Sequence, residues 1–318
     1  MKILYFDDWK LGVLKGEGVV DLSAVAREIP HAGPGDLVNT LIERFAEYRG
    51  RLEDRAASGR AVPLSAVRLR APLPKPTNIV CMAVNYMEDG TRKEPAPINA
   101  FHKSPCAIIG PGEAMVLPDV PATIFEGEAE LGVVIGKRAT RVKAAEAMDY
   151  VFGYTNFIDG SARGLPPPGN VFFQMKSFDT FAPIGPYLVT ADEIPDPQHL
   201  LIRSWTNGTV MQNFNTSDMA HKIPRCIEWI SSVQTLLPGD IIATGTNHRG
   251  LNPFMDGDTI DLEIERVGRL SFTVKDDLKR VWARVTRAQM HERAAQKTPG
   301  AYPDVTPQTG GKYAPAGR

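Results

Sequence analysis

Cysteine is scarce in this chain: Cys81, Cys106 and Cys226 are the only three in 318 residues, and no two form a CxxC pair. That excludes a disulfide framework and a thiolate zinc site, and it points to a reducing, cytoplasmic compartment. An excess of charge is also lacking. Lys plus Arg number 36 against 37 Asp plus Glu, a net charge of −1, so no basic field exists to hold nucleic acid or an anionic membrane. No uncharged apolar run reaches the roughly 18 residues of a membrane span. The opening segment carries Asp7, Asp8, Lys10, Lys15 and Glu17 and does not resemble a signal peptide. Three catalytic wordings are missing as well: a GxSxG elbow, an HExxH helix and a GxGxxG turn between strand and helix. GVVIGK lacks the glycine spacing and the hydroxyl residue of a phosphate loop.

What remains is globular. Hydrophobic residues make up 43% and charged residues 23%, enough to fold around one large core with a small companion domain. The stretch MKILYFDDWKLGVLKGEGVVDLS reads as a small meander of short strands. From Asp36 as N-cap, Leu37, Leu41, Phe45, Tyr48 and Leu52 recur at helical spacing and predict one amphipathic helix. Pro72, Pro74 and Pro76 then mark a boundary, giving a small N-terminal domain over 1–72 and a larger domain over 73–284. The larger part is strand-rich: ELGVVIG, YVFGYTNF, PYLVT and DIIAT are short apolar runs bounded by Gly, Pro and Asp. A short helix is expected to start its regular part at Pro224. Ile260, Leu262 and Ile264, then Leu270, Phe272 and Val274, alternate as a half-buried hairpin turned at Gly268. The segment 285–318 is a tail whose last 21 residues hold eight Gly or Pro, either mobile or lying on another surface, such as a partner subunit.

The most informative local feature is FEGEAELGVVIGK. Glu126, Glu128 and Glu130 stand two apart and share one face of an extended strand. On a solvated edge such carboxylates serve only solubility. This strand, however, runs on into LGVVIG, which reads as buried on both sides, and burying unpaired carboxylates costs several kcal/mol apiece (roughly). A divalent cation removes that cost, and oxygen-only ligation favours Mg²⁺ or Mn²⁺, with Ca²⁺ a third candidate, over zinc. Asp159, at the end of GYTNFIDGSARG, offers a third carboxylate.

These residues resemble the fumarylacetoacetate hydrolase family over most of 78–275. GEAELGVVIGK is similar to its metal-binding glutamate strand, and DYVFGYTNFIDGSAR to the strand bringing the metal aspartate. KSFDTFAPIGP is similar to the segment with its lysine, and LLPGDIIATGT to the loop before its active-site threonine. The resemblance implies an α+β fold whose main domain is a rolled, mixed, barrel-like β-sheet, usually dimeric, so a homodimer is expected. It implies Glu128, Glu130 and Asp159 as metal ligands, Lys176 reaching the substrate, Thr246 near its carboxylate and Glu126 at the rim. Lys103 matches a recurrent basic position, and His102 beside it is a weaker candidate to face the site. Tyr86 belongs to the NY pair of the lid segment and is grouped with the substrate-binding candidates. Gln174, on the same face as Lys176 if the segment is extended, could donate to a substrate carbonyl. Arg92, Lys93 and Arg163 would suit a second substrate carboxylate.

Where the family has NYxxH followed by a glutamate, a His–Glu pair that activates water, this chain reads NYMEDGTRKE. Asp89 takes the histidine position, so the usual pair is missing. Glu88 or Asp89 as base or extra ligand, Glu94 as the lid glutamate, and His248, which follows GTN, are the candidate replacements; we take His248 as the base. His31, His199, His221 and His291 have no such context. The expected activity is metal-dependent cleavage of a C–C bond in a small 2,4-diketo acid or acylpyruvate. Decarboxylation or keto–enol isomerisation of a small keto dicarboxylic acid is the alternative, and a non-catalytic keto-acid binding protein is the reading from another class.

Overall fold

The computed structural model describes residues 1–167, 169, 172–297 and 306–314. Strands β1 (Lys2–Phe6), β2 (Lys10–Lys15) and β3 (Gly18–Asp21) form the expected meander, followed by one turn of helix, α1 (Ser23–Ala26). The long helix expected from Asp36 is instead two, α2 (Pro34–Glu43) and α3 (Phe45–Ser58). Arg44 leaves helical geometry at φ −110°, ψ 25°, so Leu37 and Leu41 and then Tyr48 and Leu52 pack from two differently directed axes. Pro34 occupies the first turn, where its missing N–H costs nothing, and Asp36 sits inside that turn, accepting from Ala32 N–H at 2.7 Å. Strand β4 (Ala61–Pro63) pairs with β3, and β5 (Leu69–Arg70) with β1.

Beyond the proline cluster come β6 (Ile79–Met82), β7 (Ala100–Lys103), β8 (Ile108–Ile109) and β9 (Ala114–Val116). They are followed by two long buried strands, β10 (Ile124–Ile135) and β11 (Val151–Arg163), then α4 (Phe172–Lys176) and β12 (Ala182–Thr190). After them lie β13 (Leu201–Thr206), β14 (Thr209–Asn215), α5 (Ile223–Val233), β15 (Ile241–Ala243), β16 (Thr259–Ile264) and β17 (Gly268–Lys275). The chain ends in β18 (Val281–Trp282), α6 (Arg287–Lys297) and β19 (Gln308–Gly310). Pro224 opens α5, as its wording predicts.

The mixed sheet runs β4-β3-β2-β1-β12-β11-β10-β15-β6-β7, and a smaller sheet runs β14-β13-β16-β17-β9. The rolled, α+β architecture is as expected, although the large sheet does not close into a barrel. Lys2 and Ile3 pair with Val189 and Leu188, so hydrogen bonding continues from the meander into the larger part of the chain. Every residue of β10 is buried, because β11 and β15 flank it and other layers cover both faces. The described parts of the tail lie on this same chain: the first residue of α6, Arg287, donates its N–H to the Leu251 carbonyl, and β19 pairs with β18. Residues 298–305 and 315–318 of the expected tail lie outside the described residues.

The approach to β10 is held by a buried ion pair. Arg280 and Asp276 are both inaccessible and share two contacts of 2.9 Å, while the same guanidinium donates to the carbonyls of Val120 and Pro118. It also lies over the Phe125 ring at 4.5 Å. Removing one member of such a pair leaves a buried charge. Arg280→Met is therefore expected to lower unfolding free energy by about 3–5 kcal/mol. Urea unfolding monitored by tryptophan fluorescence checks this, and a loss below about 1 kcal/mol would contradict it.

Candidate metal centre and active site

The site begins with strand register. β10 and β11 are antiparallel with Glu128 directly opposite Asp159, and Glu130 is two residues along on the same face. One oxygen from each of Glu128, Glu130 and Asp159 falls within 4.8 Å of the others, all in buried positions. Two lysines and an arginine close around them. Lys176, at the end of α4, donates to Glu128 Oε1 at 2.9 Å and to Asp159 Oδ2 at 2.6 Å. Lys103 donates to Asp159 Oδ1 at 2.7 Å and to the Gly160 and Lys176 carbonyls. Arg163 reaches Glu126 with Nε at 2.9 Å and Glu128 with Nη2.

Glu130 is differently placed. Its Oε2 accepts from Gly245 N–H at 2.7 Å, while its Oε1 is buried with no hydrogen-bond partner among the described residues. Gly245 has φ +88°, and a Cβ there would lie 2.9 Å from Asn85 Cβ, so only glycine brings that N–H to the carboxylate. Burial and the neighbouring Asp159 and Glu128 push the Glu130 carboxyl well above its ordinary pKa. Burial acts in the same direction on Glu128, but Lys176 and Arg163 outweigh it and hold that carboxyl well below the usual range. For Lys176, burial opposes the charge, and Asp159 and Glu128 overcome it to raise the pKa. An orphaned carboxylate oxygen among three converging oxygen donors fits a hard divalent cation, which Glu128, Glu130 and Asp159 would hold.

Other expected residues fall into two groups. Thr246, in the loop after β15, donates to Ala129 O at 2.8 Å and accepts from Gln212 Nε2 at 2.9 Å. It lines a small inner chamber of about 60 Å³ with Glu128, Arg163, Lys176, Phe101 and His248. Glu88 and His248 meet: His248 Nδ1 lies 2.6 Å from Glu88 Oε1, and His248 N–H donates to Glu88 Oε2 at 2.9 Å. Because the partner is a carboxylate, which accepts only, Nδ1 is the nitrogen that donates to Glu88, and Nε2 is left to face away from it. Both residues also line a wider outer cleft of about 800 Å³ with Thr91, Arg92, Arg249 and Arg287, so His248 stands at the neck between the two spaces.

Several placements differ from expectation. Asp89 is exposed, 3.7 Å from Arg249, because the turn at Glu88 and Asp89 (φ +57° and +54°) sends the two side chains apart. Glu94 and Lys93 are exposed and line neither space. Gln174 and Lys176 do not share a face, since α4 is helical and two residues there are about 200° apart. Lys103 supports Asp159 from within rather than facing a ligand, and His102 points the opposite way, to Gln234 at 2.7 Å, as strand alternation requires. Tyr86 is fully buried against Phe214, and its pKa is raised by burial and by Glu130. Glu126 is not at a rim: it is inaccessible and bound by Arg163 and Arg287.

Gln212 and Arg287 escaped the sequence reading. Gln212 had a signal, for it shares strand parity with buried Phe214; Arg287 had none, standing outside every motif.

The sheet thus carries a buried carboxylate triad fit to hold a cation, beneath a basic cleft and with a histidine–glutamate pair between them, a layout that suits metal-dependent processing of small acids. The chain belongs to the fumarylacetoacetate hydrolase family: residues 78–275 match the model described as Fumarylacetoacetate (FAA) hydrolase C-terminal. It is 36% identical over 282 residues to oxaloacetate tautomerase YisK of Bacillus subtilis, covering 81% of this chain and 93% of that one. The crystal structure of maleylpyruvate hydrolase from Sphingobium sp. SYK-6, in complex with manganese(II) and pyruvate, superposes with TM-score 0.78 at 36% identity. That match covers 87% of this chain and 99% of the other. A 2-hydroxyhepta-2,4-diene-1,7-dioate isomerase from Mycobacterium marinum gives TM-score 0.62 at 40% identity, covering 69% and 82%.

Burial and the neighbouring carboxylates raise the Glu130 carboxyl above its ordinary range, so protonation there competes with an incoming cation. Mn²⁺ affinity is therefore expected to rise with pH, with proton release on binding. Calorimetry in two buffers of different ionisation enthalpy measures both; a pH-independent Kd with no proton release would reject the assignment.

Proposed function

We propose that this protein is a divalent-metal-dependent hydrolase that cleaves a carbon–carbon bond in a small 2,4-diketo acid carrying a second carboxylate. The observation that supports this most is His248 at the neck, oriented by Glu88, with the carboxylate triad on one side and the open cleft on the other. Mg²⁺ or Mn²⁺ at Glu128, Glu130 and Asp159 would supply Lewis acidity toward a 2-oxo carboxylate, drawing off negative charge that builds on its oxygen.

The chain's own groups account for the rest. Lys176 and Arg163 place positive charge beside the inner carboxylate, and Thr246 lines the wall it rests on. The inner chamber admits only the reacting head, so the distal carbonyl lies at the neck near His248. There Nε2 takes a proton from water while Nδ1–H stays on Glu88, and the hydroxide adds to the distal carbonyl carbon. The C3–C4 bond then breaks, its electron pair passing to C3, which takes a proton back from His248. The products are a carboxylic acid and a 2-oxo acid.

Charge supports a dianionic substrate. Glu126, Glu128, Glu130 and Asp159 face Lys103, Lys176, Arg163 and Arg287, a formal balance of four against four. A divalent cation adds two positive charges that a dicarboxylate would offset. Arg92 lines the outer cleft, and its buried Nε has no hydrogen-bond partner among the described residues, which suits it to the far carboxylate.

A second reading, keto–enol tautomerisation of a 2-oxo dicarboxylate, draws support from the same base: Nε2 of His248 is also placed to take a proton from C3 without water. The relatives named tautomerase and isomerase speak for it. The intact base pair speaks against a binding protein without turnover.

His248→Ala is expected to lower kcat at least about 100-fold while Mn²⁺ uptake persists. Glu88→Gln, which weakens orientation only, should fall between that variant and the wild type. Product analysis with acylpyruvates, maleylpyruvate and oxaloacetate separates the two readings: paired acids indicate hydrolysis, and unchanged mass with altered absorbance indicates tautomerisation. Wild-type rates from His248→Ala would overturn the role of the base. Arg92→Met should raise KM for a dicarboxylate about tenfold and leave a neutral-ended acylpyruvate unaffected.

A further inference from the structure

Glu126 takes no part in the carboxylate triad, yet it is inaccessible and fully engaged. Its Oε2 accepts from Arg163 Nε at 2.9 Å and from Arg287 Nη2 at 2.6 Å, and its Oε1 accepts from Arg287 Nε at 3.2 Å. Arg163 divides its guanidinium between two carboxylates, giving Nε to Glu126 and Nη2 to Glu128. Arg287 is the first residue of α6, beyond the 78–275 span of the family domain, and α6 walls the outer cleft beside His248 and Glu88. One run of charge-assisted hydrogen bonds therefore leads from the C-terminal helix to a ligand of the cation site: Arg287, Glu126, Arg163, Glu128.

We infer that Arg287 is a positioning residue that sets cation affinity, by fixing how Arg163 is shared between Glu126 and Glu128. This rests on the metal reading given above. Arg163 and an incoming cation compete for the same Glu128 carboxylate, so whatever draws Arg163 toward Glu126 frees that ligand. Arg287 neutralises part of Glu126 and so weakens its hold on Arg163. Without Arg287, Glu126 has one partner left and takes the Arg163 fork more completely. Without the Glu126 charge, Arg163 turns to Glu128 instead.

The two removals should thus shift affinity in opposite directions, which loss of a structural anchor would not do. Mn²⁺ binding to the full-length protein, followed by paramagnetic resonance of free Mn²⁺ with no substrate present, tests this. Glu126→Gln should weaken Kd about tenfold. Arg287→Met should tighten it about three- to fivefold, and Arg287→Lys, which keeps the charge, should restore the wild-type value. Melting temperatures of the metal-free proteins report folding separately, and both substitutions should lower them. Equal weakening by both, or no change in either Kd, would overturn the inference. Should Glu126→Gln not fold, Arg287→Met decides alone, and a Kd equal to or weaker than wild type overturns it. If the wild type takes up no Mn²⁺, the metal reading itself falls; uptake with unshifted variants removes only the role of Arg287.

Discussion

The structure turns on the burial of four carboxylates in the middle of an apolar sheet. Left alone, Glu126, Glu128, Glu130 and Asp159 would repel one another in a medium that screens poorly, and each would carry a desolvation cost of several kcal/mol (roughly). Lys103, Lys176, Arg163 and Arg287 offset this, each arriving from a different element: β7, α4, β11 and α6. The compensation is uneven. Glu128 and Asp159 are well paired, whereas Glu130 keeps one oxygen without a partner among the described residues, and this unevenness is what fits the triad to a cation.

That arrangement also divides the space above the sheet. The inner chamber is narrow and lined by Glu128, Arg163 and Lys176, while the outer cleft is roomy and holds arginines on loops and on the C-terminal helix. His248 at the junction, acting as the proposed base, would serve any reaction that moves a proton near a 2-oxo carboxylate. Solved and curated relatives carry the names hydrolase, isomerase and tautomerase, and these reactions share the demand for charge stabilisation on oxygen and differ in what the base deprotonates.

Much of this was legible in the chain because it is written in short-range pattern. Strand alternation places Glu128 and Glu130 on one face, and the apolar run after them signals burial, which makes the carboxylates costly and hence informative. The hairpin after Thr259 and the start of α5 at Pro224 follow from alternation and from proline's missing N–H. The single helix expected over Leu37–Leu52 failed because hydrophobic spacing continues across Arg44 while the backbone does not, and periodicity does not report a change of axis. Gln174 was misread because the face a residue shares depends on whether its segment is extended or helical.

Local sequence therefore determined the strand-rich character and the buried glutamate strand, since each follows from spacing within a few residues; Asp159 joined Glu128 and Glu130 as a candidate ligand only through the family resemblance. Only the tertiary structure decided that Glu88 orients His248 across 160 positions, that Lys103 turns inward beneath Asp159 while His102 turns out, and that Arg287 reaches Glu126. Those pairings depend on which loops and helices the rolled sheet brings face to face. An ion pair between distant residues leaves no periodic trace in either partner's neighbourhood.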